Sequence, residues 1–79
     1  MYVLLQHPAI GADAPRFVRL SLQQDLLGGW ELLRESGQHG ARSQMRRELH
    51  LHAEDARLAF AKARDAELHR GFSLISSGD

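Results

Sequence analysis

The chain reads as an α+β fold, a small antiparallel β-sheet of about four to five strands with one long C-terminal helix packed across a face. Three observations carry this. Apolar and polar residues alternate from Arg16 to Leu22 and again from Arg42 to Leu51, glycine-bearing stretches separate such runs, and from Ala53 onward the period lengthens to that of a helix.

Tyr2 to Gln6 is apolar and β-prone, and it stops at Pro8 ahead of the turn-rich Gly11-Ala12-Asp13-Ala14-Pro15, so a strand precedes a loop. In the next strand Val18, Leu20 and Leu22 share one face and Phe17, Arg19 and Ser21 the other. Gln23 to Gly29 then reverses the chain, with the paired Gly28 and Gly29 offering positive φ. Trp30 to Glu35 returns as the partner strand. Trp30 and Leu32 share a face and read as core, while Arg34 on that face reads as a brace for the following loop. Ser36-Gly37-Gln38-His39-Gly40 reads as that loop, shaped by Gly37 and Gly40.

In the strand from Arg42, the alternation assigns Met45, Leu49 and Leu51 to one side and Arg46, Glu48, His50 and His52 to water. The helix presents Ala56, Ala59, Phe60, Ala63 and Ala66 as one stripe, whose small residues let it lie close on a sheet. Glu54 and Asp55 near its start, and His69 and Arg70 near its end, match the helix dipole, and Gly71 is placed to terminate it. The N-cap is poor, because neither His52 nor Ala53 is a capping residue. Phe72 to Ile75 is expected as a short closing strand and Ser76 to Asp79 as a frayed end.

A chain of 79 residues buries roughly 60–65% of the surface its unfolded form exposes, enough for one domain over residues 1–79. There is no cysteine, which removes a disulfide framework, a thiolate metal site and a cysteine nucleophile, and points to a cytoplasmic setting. The apolar start is too short to span a membrane and lacks a basic leader or cleavage site. Ten basic and ten acidic side chains cancel, so any nucleic-acid contact must come from a local patch.

No enzyme signature emerges. Ser36 and His39 share a glycine-flanked segment without a G-x-S-x-G turn or an orienting carboxylate. Glu54 and Asp55 point about 100° apart on a helix and read as dipole partners. His50 and His52 stand about 7 Å apart on one strand face, but no third ligand accompanies them, and no cofactor is implied.

The segment Asp25-Leu26-Leu27-Gly28-Gly29-Trp30-Glu31-Leu32-Leu33-Arg34, with Arg16-Phe17 before it, Gly37 and Gly40 after it, and an alanine-rich helix closing on Arg70-Gly71-Phe72, resembles the WGR domain. It is most similar to the short bacterial type, over about residues 16–72. The resemblance implies a compact sheet module with one helix. In DNA-dependent poly(ADP-ribose) polymerases this module touches the end of broken DNA and relays the contact to a catalytic region, which has no counterpart here. The family's signature tryptophan packs on a nucleotide sugar and its signature arginine reaches DNA. Ser36 and Gln38 stand at those positions, and Glu67 stands where the family has a lysine. Loss of an aromatic stacking partner costs about 1–3 kcal/mol of nucleic-acid affinity, and a lost arginine–phosphate contact weakens it further.

The reading is therefore a non-catalytic binding module. Its candidate nucleic-acid residues are Arg34, Ser36, Gln38, Arg42, Arg46 and Arg47, and its structural residues are Gly28, Gly29, Trp30, Leu32, Gly37, Gly40 and Phe60. For Arg42, Arg46 and Arg47 the solvated strand edge with ordinary surface charges is the favoured reading over a phosphate contact. The alternative is a protein-interaction or self-association module, a homodimer included, which uses a sheet edge or the off-stripe helix residues Leu58, Ala61 and Leu68.

Overall fold

The computed structural model describes all of residues 1–79. Five strands, β1 (Tyr2–His7), β2 (Arg16–Gln24), β3 (Trp30–Gln38), β4 (Gln44–His50) and β5 (Ser73–Gly78), form one antiparallel sheet in the order β4-β3-β2-β1-β5. The helix α1 (Ala53–His69) lies across one face. This is the α+β architecture that the alternating runs imply. No helix is long and apolar enough to cross a membrane.

Register explains the core. Val3 pairs with Leu20, Leu5 with Val18 and Leu22 with Leu32, so the apolar positions of three strands meet on the helix side. With Ala56 and Phe60 from α1 they form the buried cluster, and Trp30, Ala59, Ala63 and Phe72 pack around it. Leu5 and Leu20 are fully buried, each such side chain being worth about 1.5–3 kcal/mol relative to exposure.

Five sequence-based expectations change. Ser36, Gly37 and Gln38 are not loop but the end of β3, opposite Val18, Phe17 and Arg16. The nine residues of β2 supply a partner for each of the nine of β3, and a bond of 3.0 Å from the His39 N–H to the Pro15 carbonyl closes the pairing. Gly37 serves close approach rather than a turn. A Cβ there would stand 3.1 Å from Ser43 Cα and 3.2 Å from the Arg42 carbonyl oxygen.

In the β2–β3 turn only Gly28 has positive φ (89°). Gly29 is instead held by sterics, since a Cβ would meet Asp25 Oδ2 at 2.9 Å. Asp25 Oδ1 accepts bonds from the N–H groups of Leu27 and Gly29, each 2.8 Å, the side-chain-to-backbone pattern that aspartate favours in turns.

On β4 the faces are reversed. Arg46, Glu48 and His50 pair with Arg34, Leu32 and Trp30 and so lie on the helix side, whereas Met45 and Leu49 are 62% and 70% exposed and Leu51 lies beyond the strand. An edge strand takes its register from its single neighbour, and α1 does not reach far enough to bury β4.

Finally, Ser76, Ser77 and Gly78 are strand rather than frayed end. They pair with Leu4, Val3 and Tyr2 across an irregularity between Leu4 and Leu5. On α1 the fourth turn of the stripe is taken by Glu67, while Ala66 is exposed.

The helix ends in a Schellman motif: the Phe72 N–H bonds to the Glu67 carbonyl at 3.1 Å, the Gly71 N–H bonds to that of Leu68 at 3.1 Å, and Gly71 has φ 96°. A Cβ at Gly71 would also press on His7 Nε2 at 3.1 Å. Gly71→Ala is expected to destabilise the fold by about 1–2 kcal/mol, the cost of a left-handed conformation for an L-residue. Urea unfolding would show this as a lower midpoint with an unchanged slope.

Candidate functional site

The paired ends of β2 and β3, the end of β1 and the C-terminal turn of α1 converge at one end of the molecule. Between them lies an open groove of about 670 Å³. Four of the six candidate residues line it, namely Arg34, Ser36, Gln38 and Arg42. The pairing that makes Ser36 and Gln38 strand residues also brings Arg16 to this groove, as the partner of Gln38. Arg70 enters from the end of the helix, and Phe17 and Phe72 supply aromatic wall.

The remaining two candidates separate. Arg46 pairs with Arg34 and stands with Glu48 in a smaller depression of about 420 Å³ beside the groove. Arg47 touches the rim of that depression, but it pairs with Leu33 and its register position belongs to the opposite face. The sequence cluster Arg42, Arg46 and Arg47 is thus split by the period of the strand.

Glu67 organises the groove floor. It is the one charged residue in the core, 2% exposed, and its Oε1 accepts a bond of 2.7 Å from Arg34 Nη2 and a longer one of 3.5 Å from Arg70 Nη1. Burying an ionised carboxylate is expensive unless it is paired, and Arg34 meets that requirement from the facing strand. Arg34 therefore braces the helix to the sheet, not the loop after β3. That loop is braced by Ser43, whose hydroxyl donates to Glu35 Oε2 at 2.9 Å.

Two arginines keep their charge free of carboxylate partners. Neither Arg16 nor Arg42 forms an ion pair, and both are exposed. In all, four arginines line the groove against the carboxylates of Asp13 and Glu67, a balance that favours an anion on the sheet side of the cleft. The helix C-terminus contributes partial negative charge on the other side, which Arg70 offsets.

Sequence reasoning missed Arg16, Arg70 and the burial of Glu67. Residues 56, 60, 63 and 67 follow one helical stripe, so the spacing itself flags Glu67 as a carboxylate in need of a cation. Arg16 had no such signal, because only the β2–β3 register brings it here.

His52 is the helix N-cap residue and makes no side-chain cap bond, and so it does not share a strand face with His50. His50 Nε2 lies 2.8 Å from Glu48 Oε1, but out of line for a directed hydrogen bond. No group of three or more histidine, cysteine, aspartate or glutamate side chains is placed to hold a metal ion.

Sheet, helix and groove define an α+β domain with an arginine-lined cleft at one end of its only helix. No protein-family model, curated protein or solved structure matches the chain.

Arg34→Ala is expected to cost about 2–3 kcal/mol, less than the 3–5 of a fully buried pair because Arg34 is 35% exposed and solvent screens it. The double variant Arg34→Leu with Glu67→Leu is expected to recover most of that loss, and thermal unfolding of the single and double variants measures both.

Proposed function

We propose that the chain is a non-catalytic, WGR-like binding module that takes the phosphate backbone of nucleic acid in this groove. The observation that carries the reading is the convergence of Arg16, Arg34, Arg42 and Arg70 on a single cleft in a molecule whose net charge is zero. Guanidinium groups recognise phosphate through paired, charge-assisted hydrogen bonds. The resemblance to the WGR domain, which meets DNA ends, points the same way. A cytoplasmic setting fits a chain without cysteine.

Binding through this groove is weak and depends strongly on salt. Ser36 provides no stacking surface and Gln38 no charge, and Glu67 engages two of the four arginines. What remains is the counterion-release contribution of Arg16 and Arg42.

Fluorescence anisotropy of a short blunt-ended duplex tests this at about 50 and 200 mM salt. Micromolar affinity that falls steeply between the two is expected. Arg16→Ala with Arg42→Ala should lower the magnitude of the log–log salt slope by about 1.8 if both contact phosphate. Absence of binding at both concentrations would refute the reading. Ser36→Trp with Gln38→Arg is expected to raise affinity for duplex ends at least tenfold, since stacking on a nucleotide contributes about 1–3 kcal/mol. A folded double variant with no gain would show that these positions are not equivalent to the family's signature pair.

A further inference from the structure

The outer strand β4 is paired on one side only, so half of its backbone N–H and C=O groups face outward. Its sequence, Gln-Met-Arg-Arg-Glu-Leu-His, has no proline, and its register with β3 is unbroken from Ser36↔Gln44 to Trp30↔His50. Six of its seven residues are exposed. The opposite edge differs: β5 meets β1 with a break in register. Of the two free edges, β4 is the regular one.

Charged side chains commonly protect such an edge from unwanted pairing, but the charges on β4 are of both signs and their order matters. A second copy adding to this edge under a two-fold axis perpendicular to the sheet runs antiparallel and keeps every side chain on its own face. The axis must then pass through a residue position, not between two. Centred on Arg47, it sets Met45 against the partner's Leu49, Arg46 against the partner's Glu48 and Gln44 against the partner's His50, each contact occurring twice. Centred on Arg46, it opposes two arginines and sets Met45 against an arginine. Centred on Glu48, it opposes two carboxylates and sets Leu49 against an arginine. Of these three registers, only the one centred on Arg47 unites apolar with apolar and cation with anion. Its single like pair, the two copies of Arg47, lies on the sheet face away from the helix, in water. Met45 and Leu49, 62% and 70% exposed, gain cover on that same face.

We infer that β4 pairs with β4 of a second copy about an axis at Arg47, forming a continuous ten-stranded antiparallel sheet. The helices lie on one face of it, and each copy places its arginine groove beyond the Gln44 end of the shared edge. The pairing requires no nucleic acid, and so it stands or falls independently of the groove's ligand.

Sedimentation velocity of the full chain over a micromolar to sub-millimolar series tests it, with circular dichroism to confirm that each variant folds. The 8.9 kDa monomer should give way to a species of twice that mass. Glu48→Arg and Arg46→Glu, each alone, oppose like charges at two positions and should weaken dimerisation at least tenfold. An equimolar mixture of these two variants restores both opposite pairs in the mixed dimer and should dimerise again. Because the chain has no cysteine, Arg47→Cys should form a disulfide-linked dimer on mild oxidation. Met45→Cys should not, because its two copies stand about 13 Å apart along the strand. A monomer at every concentration would overturn the inference. So would a dimer indifferent to Glu48→Arg, or cross-linking of Met45→Cys as fast as that of Arg47→Cys.

Discussion

One helix has to cover a sheet five strands wide. The seventeen residues of α1 make a rod about 25 Å long and roughly 10 Å across, while the outer strands of a five-stranded sheet stand about 19 Å apart. The helix therefore seals the middle of one face and no more. β1, β2 and the first half of β3 receive the core, and β4 stays exposed everywhere but at His50. The rest of the molecule's chemistry follows from what that short cover leaves open.

Where the helix ends, the sheet continues. Past Phe60 the stripe runs out of large apolar residues, and Glu67 occupies the position where another core residue would sit. Its carboxylate is held by Arg34 from β3, so an ion pair replaces hydrocarbon at the last point of contact between the two layers. Such a pair adds little net stability over an apolar one, but it ties helix to strand at a defined distance and penalises slippage of either. Beyond it the layers part, and the gap between them is the arginine-lined groove. Groove and ion pair share residues, so a ligand's phosphate would compete with Glu67 for Arg34 and Arg70.

Along the other axis, the uncovered strand β4 carries an amphipathic alternation that no second layer uses. Its residues are ordered so that the symmetric register centred on Arg47 sets Met45 against Leu49 and Arg46 against Glu48 of a second copy. Groove and edge occupy different parts of the molecule, and a symmetric pair would present two grooves at a fixed separation. A ligand that spans both grooves of such a pair would be held with greater avidity than by either groove alone.

How much of this was legible depended on whether one element's own pattern decided the matter. The two-residue period of Arg16 to Leu22 and the helical stripe from Ala56 through Phe60 are local properties, and they identified β2, α1 and most of the core. The Asp25 to Gly29 turn and the Gly71 terminus were equally readable, because backbone geometry at a reversal restricts residue type. Pairing decided the rest. Glycines 37 and 40 looked like a loop, yet the length of β2 carries β3 through Ser36 to Gln38. β4 has an alternation whose sign the sequence leaves open, and only the β3 hydrogen bonds turn Arg46 toward the helix and Met45 away. Ser76 to Gly78 have little strand character until β1 supplies partners. Of the candidate site, Arg34, Ser36, Gln38 and Arg42 lie close together in the sequence, whereas Arg16, Arg70 and the partner of Glu67 come from distant parts of the chain and meet only when the sheet is assembled. By itself the sequence determined where most of the elements lie and which faces of β2 and α1 are buried, because burial and turn geometry act locally. The tertiary structure alone decided register, edge and groove, because these are relations between strands.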